Sequence, residues 1–307
     1  FMTYKNFPVY IGYGNREFVS DWGFHRNFML YADSVSVNYG SASTPNRRLG
    51  SSVDKDNQYV YTSDSSCSIS LGFNFYSYPR KGGEGQNVYG FLMDGAEYEG
   101  NVLGNGTGAN FFPIRIGANV YNKCYIQDYT VQVAAFAPLK VSANFKCYDP
   151  PDEGSTKQEV DVNFDSYNDY MSGRSVITSN TCELSGVYDD VVYGDVIPSM
   201  SFSKRYSRTP VYTLGSIKPT SFLVDAVESQ MQLESTGLSN FADYSGIKLQ
   251  EPIALIIKDV DGNKILPEYN GGFEFAANSG AKVNTYNYGV QGGDVIKTQA
   301  TISEVVL

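Results

Sequence analysis

Apolar and polar positions alternate along most of this chain, in short runs separated by turn residues. SVSVNY (34–39), SCSISLGFNFYSY (66–78) and SMSFSK (199–204) place an apolar residue at every second position. That is the period of a half-buried strand. NFFPIRIGANVYN, CYIQDYTVQVAAF and LKVSANFKCY read as three strands joined by tight connections. SFLVDAVESQMQLES reads as a strand or strand pair, and EPIALIIKDVDGNKILPEY as a hairpin with Asp261-Gly262 at its turn. The last strands end within VIKTQATISEVV. Helical periodicity is nearly absent; VYGFLMDGAEYEG (88–100) and TGLSNFADYSG (236–246) offer the only places for a short helix or helical turn. The pattern predicts an all-β chain with one or two short helices, organised as sandwich or barrel-like modules.

One alternating run recurs. SVSVNYGSASTPNRRLGS (34–51) and SMSFSKRYSRTPVYTLGS (199–216) lie 165 positions apart and match without a gap at seven of eighteen positions. In each, a Ser-x-Ser strand leads through a polar segment to Thr-Pro, which fixes φ and removes a ladder donor. Leu-Gly-Ser then closes the unit with a turn. A second match pairs YTVQVAAFAPLKVSANF with YGVQGGDVIKTQATI: Tyr129, Val131, Gln132, Lys140 and Ala143 with Tyr288, Val290, Gln291, Lys297 and Ala300. This match needs the loop between the two strands to be two residues shorter in the second copy. Two modules of one fold are therefore expected, at 34–150 and 199–307.

Composition supports a β reading. Aromatics are 14% of the chain and Tyr is the commonest of them, while long Ala/Glu/Lys/Leu runs are absent. A chain of 307 residues is long enough for one or two domains with ample cores. The net charge is −10, and residues 151–198 carry most of it, with two basic and ten acidic groups. That segment opens on Asp149-Pro150-Pro151-Asp152-Glu153-Gly154, a strong breaker, and reads as an acidic, partly ordered connector. No basic nucleic-acid footprint is present. No apolar stretch has bilayer-spanning length and no signal peptide is visible, so no membrane partner is expected.

Residues 1–33 form an arm rich in aromatics, among them Phe7, Tyr10, Tyr13, Phe18, Trp22 and Phe24. An arm this apolar must dock, either on its own first module or on a neighbouring subunit.

The residues that carry chemistry are few. His25 is the lone histidine, and neither a G-x-S-x-G elbow nor an H-E-x-x-H helix occurs. Asp259-Val260-Asp261-Gly262-Asn263 mimics the start of a calcium loop, but Gly262 falls too early and position twelve is Asn270. A hairpin turn is the expected reading. The spacings of Cys67, Cys124, Cys147 and Cys182 fit no zinc pattern, so free, mostly buried thiols are expected. No enzyme, metal or cofactor is predicted.

Pro210-Val211-Tyr212-Thr213-Leu214-Gly215-Ser216, after an alternating strand and before SFLVDAVESQMQLES, is similar to the tail-tube proteins of tailed bacteriophages. The resemblance covers both modules, about two thirds of the chain; the first copy departs from it, with Asn46 and Arg47 in place of Val211 and Tyr212. It implies two tandem tail-tube-like modules in a virion structural protein, assembled in the host cytoplasm and located in the tail. Such proteins form rings whose inner strands join into one barrel, which removes open edges. Partners would be further copies of the chain, three with pseudo-sixfold symmetry or six. Adjacent tail or baseplate proteins, with or without a sheath, would join them, and DNA would pass through the lumen without specific binding. The long loop of the first hairpin meets the next ring in such proteins. Here that loop is 38–48 (Asn38, Tyr39, Arg47, Arg48) and 203–213 (Lys204, Arg205, Tyr206, Arg208, Tyr212). Two other readings are a tail-end ring (tube initiator, terminator or baseplate component) and a surface or carbohydrate-binding β-sandwich.

Overall fold

In the alternating runs the apolar positions turn inward and the serines outward. The computed structural model describes residues 7–12, 27–40, 43–45, 59–61, 66–77, 89–93, 96–98, 101–103, 110–117, 119–149, 175–186, 196–214, 216, 218–236, 252–262, 264–265, 272–275, 280–289 and 297–306. In the first half run β1 (Phe7–Gly12), β2 (Asn27–Tyr39), β3 (Ser43–Pro45), β4 (Tyr59–Tyr61), β5 (Cys67–Asn74), β6 (Ala96–Tyr98), β7 (Asn101–Leu103), β8 (Phe112–Ile116), β9 (Asn119–Ala134) and β10 (Lys140–Asp149). In the second run β11 (Cys182–Gly186), β12 (Val196–Val211), β13 (Ser221–Thr236), β14 (Ile253–Ile257), β15 (Gly272–Phe275), β16 (Lys282–Gly289) and β17 (Lys297–Val306). The chain is all-β, and the helix expected within 88–100 is a single 3-10 turn, Gly90–Met93.

Six strands close an antiparallel barrel in the order β10-β5-β2-β1-β8-β9 and back to β10. β5 shows why: Cys67, Ile69, Leu71 and Phe73 are buried while Ser68, Ser70, Gly72 and Asn74 alternate outward. Facing strands add Val9, Leu30, Ile114, Tyr129, Val131 and Phe145 to the same core. Phe91, from the 3-10 turn, packs its ring 6.2 Å from Phe73, 6.4 Å from Phe112 and 6.1 Å from Phe145. Each such side chain contributes about 1.5–3 kcal/mol by burial. The tight β8–β9 connection turns at Gly117, whose φ of +60° suits glycine.

β9 is long enough to serve two sheets. β10 runs along one side of it. On the other side residues 119–124 pair with β8, and residues 128–134 pair with β12. From β12 the sheet continues as β12-β13-β17-β16. A small sheet, β11-β14-β15, supplies Leu255, Ile257, Phe273 and Phe275 to the same core. Phe273 joins the halves: its ring lies 6.2 Å from Phe75, 5.9 Å from Tyr129 and 5.3 Å from Phe202.

The strand order β2-β5-β10-β9 of the first half recurs as β12-β13-β17-β16 in the second. The register recurs too. Val35 faces Leu71 and Leu71 faces Ala143, as Met200 faces Leu233 and Leu233 faces Ala300. Ala143 faces Tyr129, as Ala300 faces Tyr286. Even the irregularities coincide. One extra residue, Gln127, sits between Ile126 and Asp128 opposite Phe145 and Asn144. Its counterpart Asn284 sits between Val283 and Thr285 opposite Ile302 and Thr301. Register shifts also fall just before Ser34 and just before Ser199.

Several expectations change. The ladder places Tyr286, not Tyr288, at the position of Tyr129, and Gln132 to Lys140 spans the same distance as Gly289 to Lys297. The two-residue loop shortening is therefore not needed. The arm boundary at residue 33 cuts through β2, and β1, which contains Phe7 and Tyr10, is a barrel strand. The closing pairings of the barrel need that strand. The 151–198 connector contains ordered chain, in line with the partial order expected of it: Ile177 is buried, Val176 bridges Tyr76, and β11 pairs with β14. Residues 203–211 are strand, not loop, because β12 pairs with β13 out to Val211. NVYN belongs to β9 rather than to the strand before it. The Asp259–Gly262 segment is the expected turn: the Gly262 N–H donates to Asp259 O at 3.0 Å, and Lys258 bridges Lys264.

Candidate functional site

Backbone edges and one projecting ribbon are the features that most suit contact with another molecule. β9 occupies the outer side of β12 only as far as Arg205, and β17 flanks β13 only from Val227. Arg205 faces Glu228 and Tyr206 faces Val227, so both flanks stop at one level. Beyond it, among the described residues, 206–211 and 221–226 continue as a two-stranded ribbon. The phase of the ribbon changes there. Ser207 faces Ala226 and Arg208 faces Val224, which leaves Asp225 as an extra residue. The Thr209 hydroxyl donates to the Asp225 carboxylate at 2.7 Å across this bulge. Bulges bend and twist a ribbon and re-aim its side chains.

One ribbon face is pinned to the outside of the barrel. Phe222 packs 4.4 Å from Tyr125 and 5.0 Å from Tyr148, ring centre to ring centre. The Arg208 guanidinium lies 5.3 Å from the Tyr125 ring and 5.5 Å from that of Tyr206, and the Lys204 ammonium lies 5.4 Å from Tyr206. Such contacts are worth about 0.5–2 kcal/mol, more as water is excluded. Tyr206 is buried and its hydroxyl donates to Leu92 O at 3.0 Å. The other parts of the ribbon expose Tyr212, Leu214 and Leu223.

The residues expected to make contacts between rings therefore divide. Arg205 and Tyr212 are exposed, whereas Lys204, Tyr206 and Arg208 form an internal cation–aromatic stack. Tyr206 is removed from the contact set because its ring and hydroxyl are already used inside the chain. In the first half Asn38 is exposed, and Tyr39 is 60% exposed with its hydroxyl 3.0 Å from that of Tyr121. Burial and the hydrogen bond with Tyr39 push the Tyr121 phenol above its ordinary pKa. Arg47 and Arg48 lie outside the described residues. Of the arm residues, Tyr10 packs under Arg115, 5.8 Å away, and Phe7 is on β1; Tyr13, Phe18, Trp22 and Phe24 lie outside the described residues.

Sequence reading missed Leu223, Leu214 and Phe136. Phe136 is 91% exposed at a φ of +59°, unusual for a bulky residue, and its N–H donates to Ser179 Oγ at 3.0 Å. The signal for Leu223 was present: Ala226 and Val227 are adjacent apolar residues, which break the alternation of SFLVDAVESQMQ.

Reactive chemistry is muted. Cys67, Cys147 and Cys124 face one another on β5, β10 and β9, forming one buried row. A hydrogen bond to Cys147 and burial hold the Cys67 thiol far above its ordinary pKa, and burial pushes Cys182 up to about 12. Protonated thiols are poor nucleophiles and poor ligands. Among the described residues no group of three or more His, Cys, Asp or Glu side chains is placed to hold a metal, and no helix is long and apolar enough to cross a membrane. His25 lies outside the described residues. Neither the protein-family models nor the curated proteins contain a match to this chain.

Proposed function

We propose that this protein is a structural subunit that assembles with copies of itself into rings, as the tail-tube proteins it resembles do, and that stacked rings form a phage tail tube. The carrying observation is the repeated four-strand unit, whose two copies are joined edge to edge by β9 and β12 and whose last strand, β16, ends the ten-stranded sheet. A unit that joins its own copy laterally is suited to join the next chain in the same way. Three chains would supply six such units, and a ring of six chains would supply twelve.

A polar face supports the conduit part of this reading. One rung of the sheet runs Ser34, Gly72, Ser142, Thr130, Ser203, Gln230 and Ser303 across seven consecutive strands. The rungs beside it on this face add Lys140 on one side and Asp128, Arg205 and Glu228 on the other, so its charge is mixed, whereas a basic wall would bind a phosphate backbone through counterion release. We assign this face to the lumen, with DNA sliding past it. The ribbon and the exposed Tyr212 and Leu214 are assigned to contacts between rings, and the tail of the virion is the proposed location.

The unequal halves favour a second reading, a ring at one end of a tail. β1 and β8 close the first unit into a barrel, and among the described residues no such pair closes the second. Electron microscopy of the purified protein separates the readings. Tubes of variable length support a tube subunit, and isolated rings a terminal one. Monomers at every concentration would overturn both.

A further inference from the structure

Within the chain, β9 pairs with β12 over seven rungs, from Asp128 opposite Arg205 to Ala134 opposite Ser199. Each partner has a counterpart in the other half. β12 corresponds to β2 at an offset of 165, Ser34 to Ser199, and β9 corresponds to β16 at an offset of 157, Tyr129 to Tyr286. The counterparts lie at opposite ends of the molecule. Among the described residues, no strand pairs with the outer side of β16. None pairs with the outer side of β2 beyond Ala32, where the pairing of β1 ends.

We propose that β16 of one copy pairs antiparallel with residues 36–40 of the next copy, in the register that β9 and β12 keep within one chain. This rests on the ring-forming reading above and gives it a specific joint. Subtracting 165 from β12 and adding 157 to β9 sets Gly40 opposite Thr285, Tyr39 opposite Tyr286, Asn38 opposite Asn287, Val37 opposite Tyr288 and Ser36 opposite Gly289.

Three observations favour a second copy as the occupant. The same joint already exists inside the chain, so its geometry is compatible with both strand types. The bulge at Gln127, beside the paired stretch of β9, is repeated at Asn284, beside the free stretch of β16, so the two edges have the same shape. The burial is also incomplete where a neighbour is missing. Met200 and Phe202 are buried next to β9, whereas their counterparts Val35 and Val37 are only half-buried. Open strand edges promote association unless they are covered or blocked. The contact joins two different surfaces, so it repeats head to tail and closes a ring when the rotation allows.

The test mixes two full-length variants carrying different tags, Asn38→Cys and Asn287→Cys, with a short bis-maleimide. Both positions are exposed, so neither change should disturb the core. A chain carrying both Thr130→Cys and Ser203→Cys reports the intrachain joint as a positive control. The expected result is a covalent heterodimer in the mixture, at least ten-fold above either variant alone and above a Ser34→Cys with Asn287→Cys mixture. Rings or tubes by microscopy without the 38–287 product would overturn this joint and leave the assembly reading standing. Absence of both assemblies and product would overturn the two together.

Discussion

The two halves use the same four-strand unit and cover its apolar face differently. In the first half β1 and β8 complete a barrel, so the core is enclosed by curvature. In the second half the corresponding chain goes into β14 and β15, which with β11 lie over the sheet like the second layer of a sandwich. Barrel closure removes open edges, while a sandwich leaves the outermost strand available. The open half is therefore the one that can extend the sheet. Because both arrangements draw on one aromatic cluster around Phe273, the difference concerns edges and not independent stability.

That last point gives the largest expected effect. Phe273→Ala removes a ring that touches Phe75 in the first half and Phe202 in the second. It should cost about 3–5 kcal/mol, in the usual range for a buried phenylalanine. Denaturant unfolding followed by fluorescence and by circular dichroism should remain one coincident transition, shifted to lower midpoint. Two separated transitions would show that the halves fold independently and would break the comparison.

A smaller effect is expected on the ribbon, which projects in the second half. Arg208→Ala removes the guanidinium from between Tyr125 and Tyr206 and should cost about 1–2 kcal/mol. Limited proteolysis should cut within 206–226 faster in the variant while the barrel stays intact. Unchanged cleavage there would mean that Phe222 alone holds the ribbon down.

The smallest effect sharpens the contrast between buried thiols. The folded pKa values of Cys67 and Cys182 are raised above the ordinary 9.0. Their contribution to stability is fully present below pH 9 and is lost as pH rises towards the folded values, because only the unfolded chain ionises there. The denaturation midpoint should fall between pH 8 and pH 10.5, and Cys182→Ser should flatten that slope in part. A midpoint that rises over this range would contradict the burial of these groups.

Much of the fold was legible because strand alternation is a local signal. Cys67 to Asn74 could be assigned face by face from the letters, and Ser34 and Ser199 marked equivalent strands. What escaped was set by backbone geometry. Matching Tyr129 with Tyr288 maximised identities, but the shared bulge at Gln127 and Asn284 fixes the true register two residues away. Residues 203–211 read as a loop because the tail-tube resemblance implies a long first-hairpin loop at 203–213. They are strand because the aromatic rings of Tyr125 and Tyr206 accept the Lys204 and Arg208 cations and β13 supplies the ladder. The role of β1 in closing the barrel was hidden for a similar reason: FPVYIG is too short to announce its partners, which lie at 27–32 and 114–116. The free edges could not be read at all, since an edge is defined by the strand that is missing beside it.

The most direct measurement is the mass of the native protein in solution, taken over a range of concentrations and combined with the rotational symmetry of the particles by electron microscopy. The account predicts closed rings of three or six copies of the 33.8 kDa chain, with density repeating twice per chain around the ring. A single 33.8 kDa species at every concentration, without rings, would contradict it.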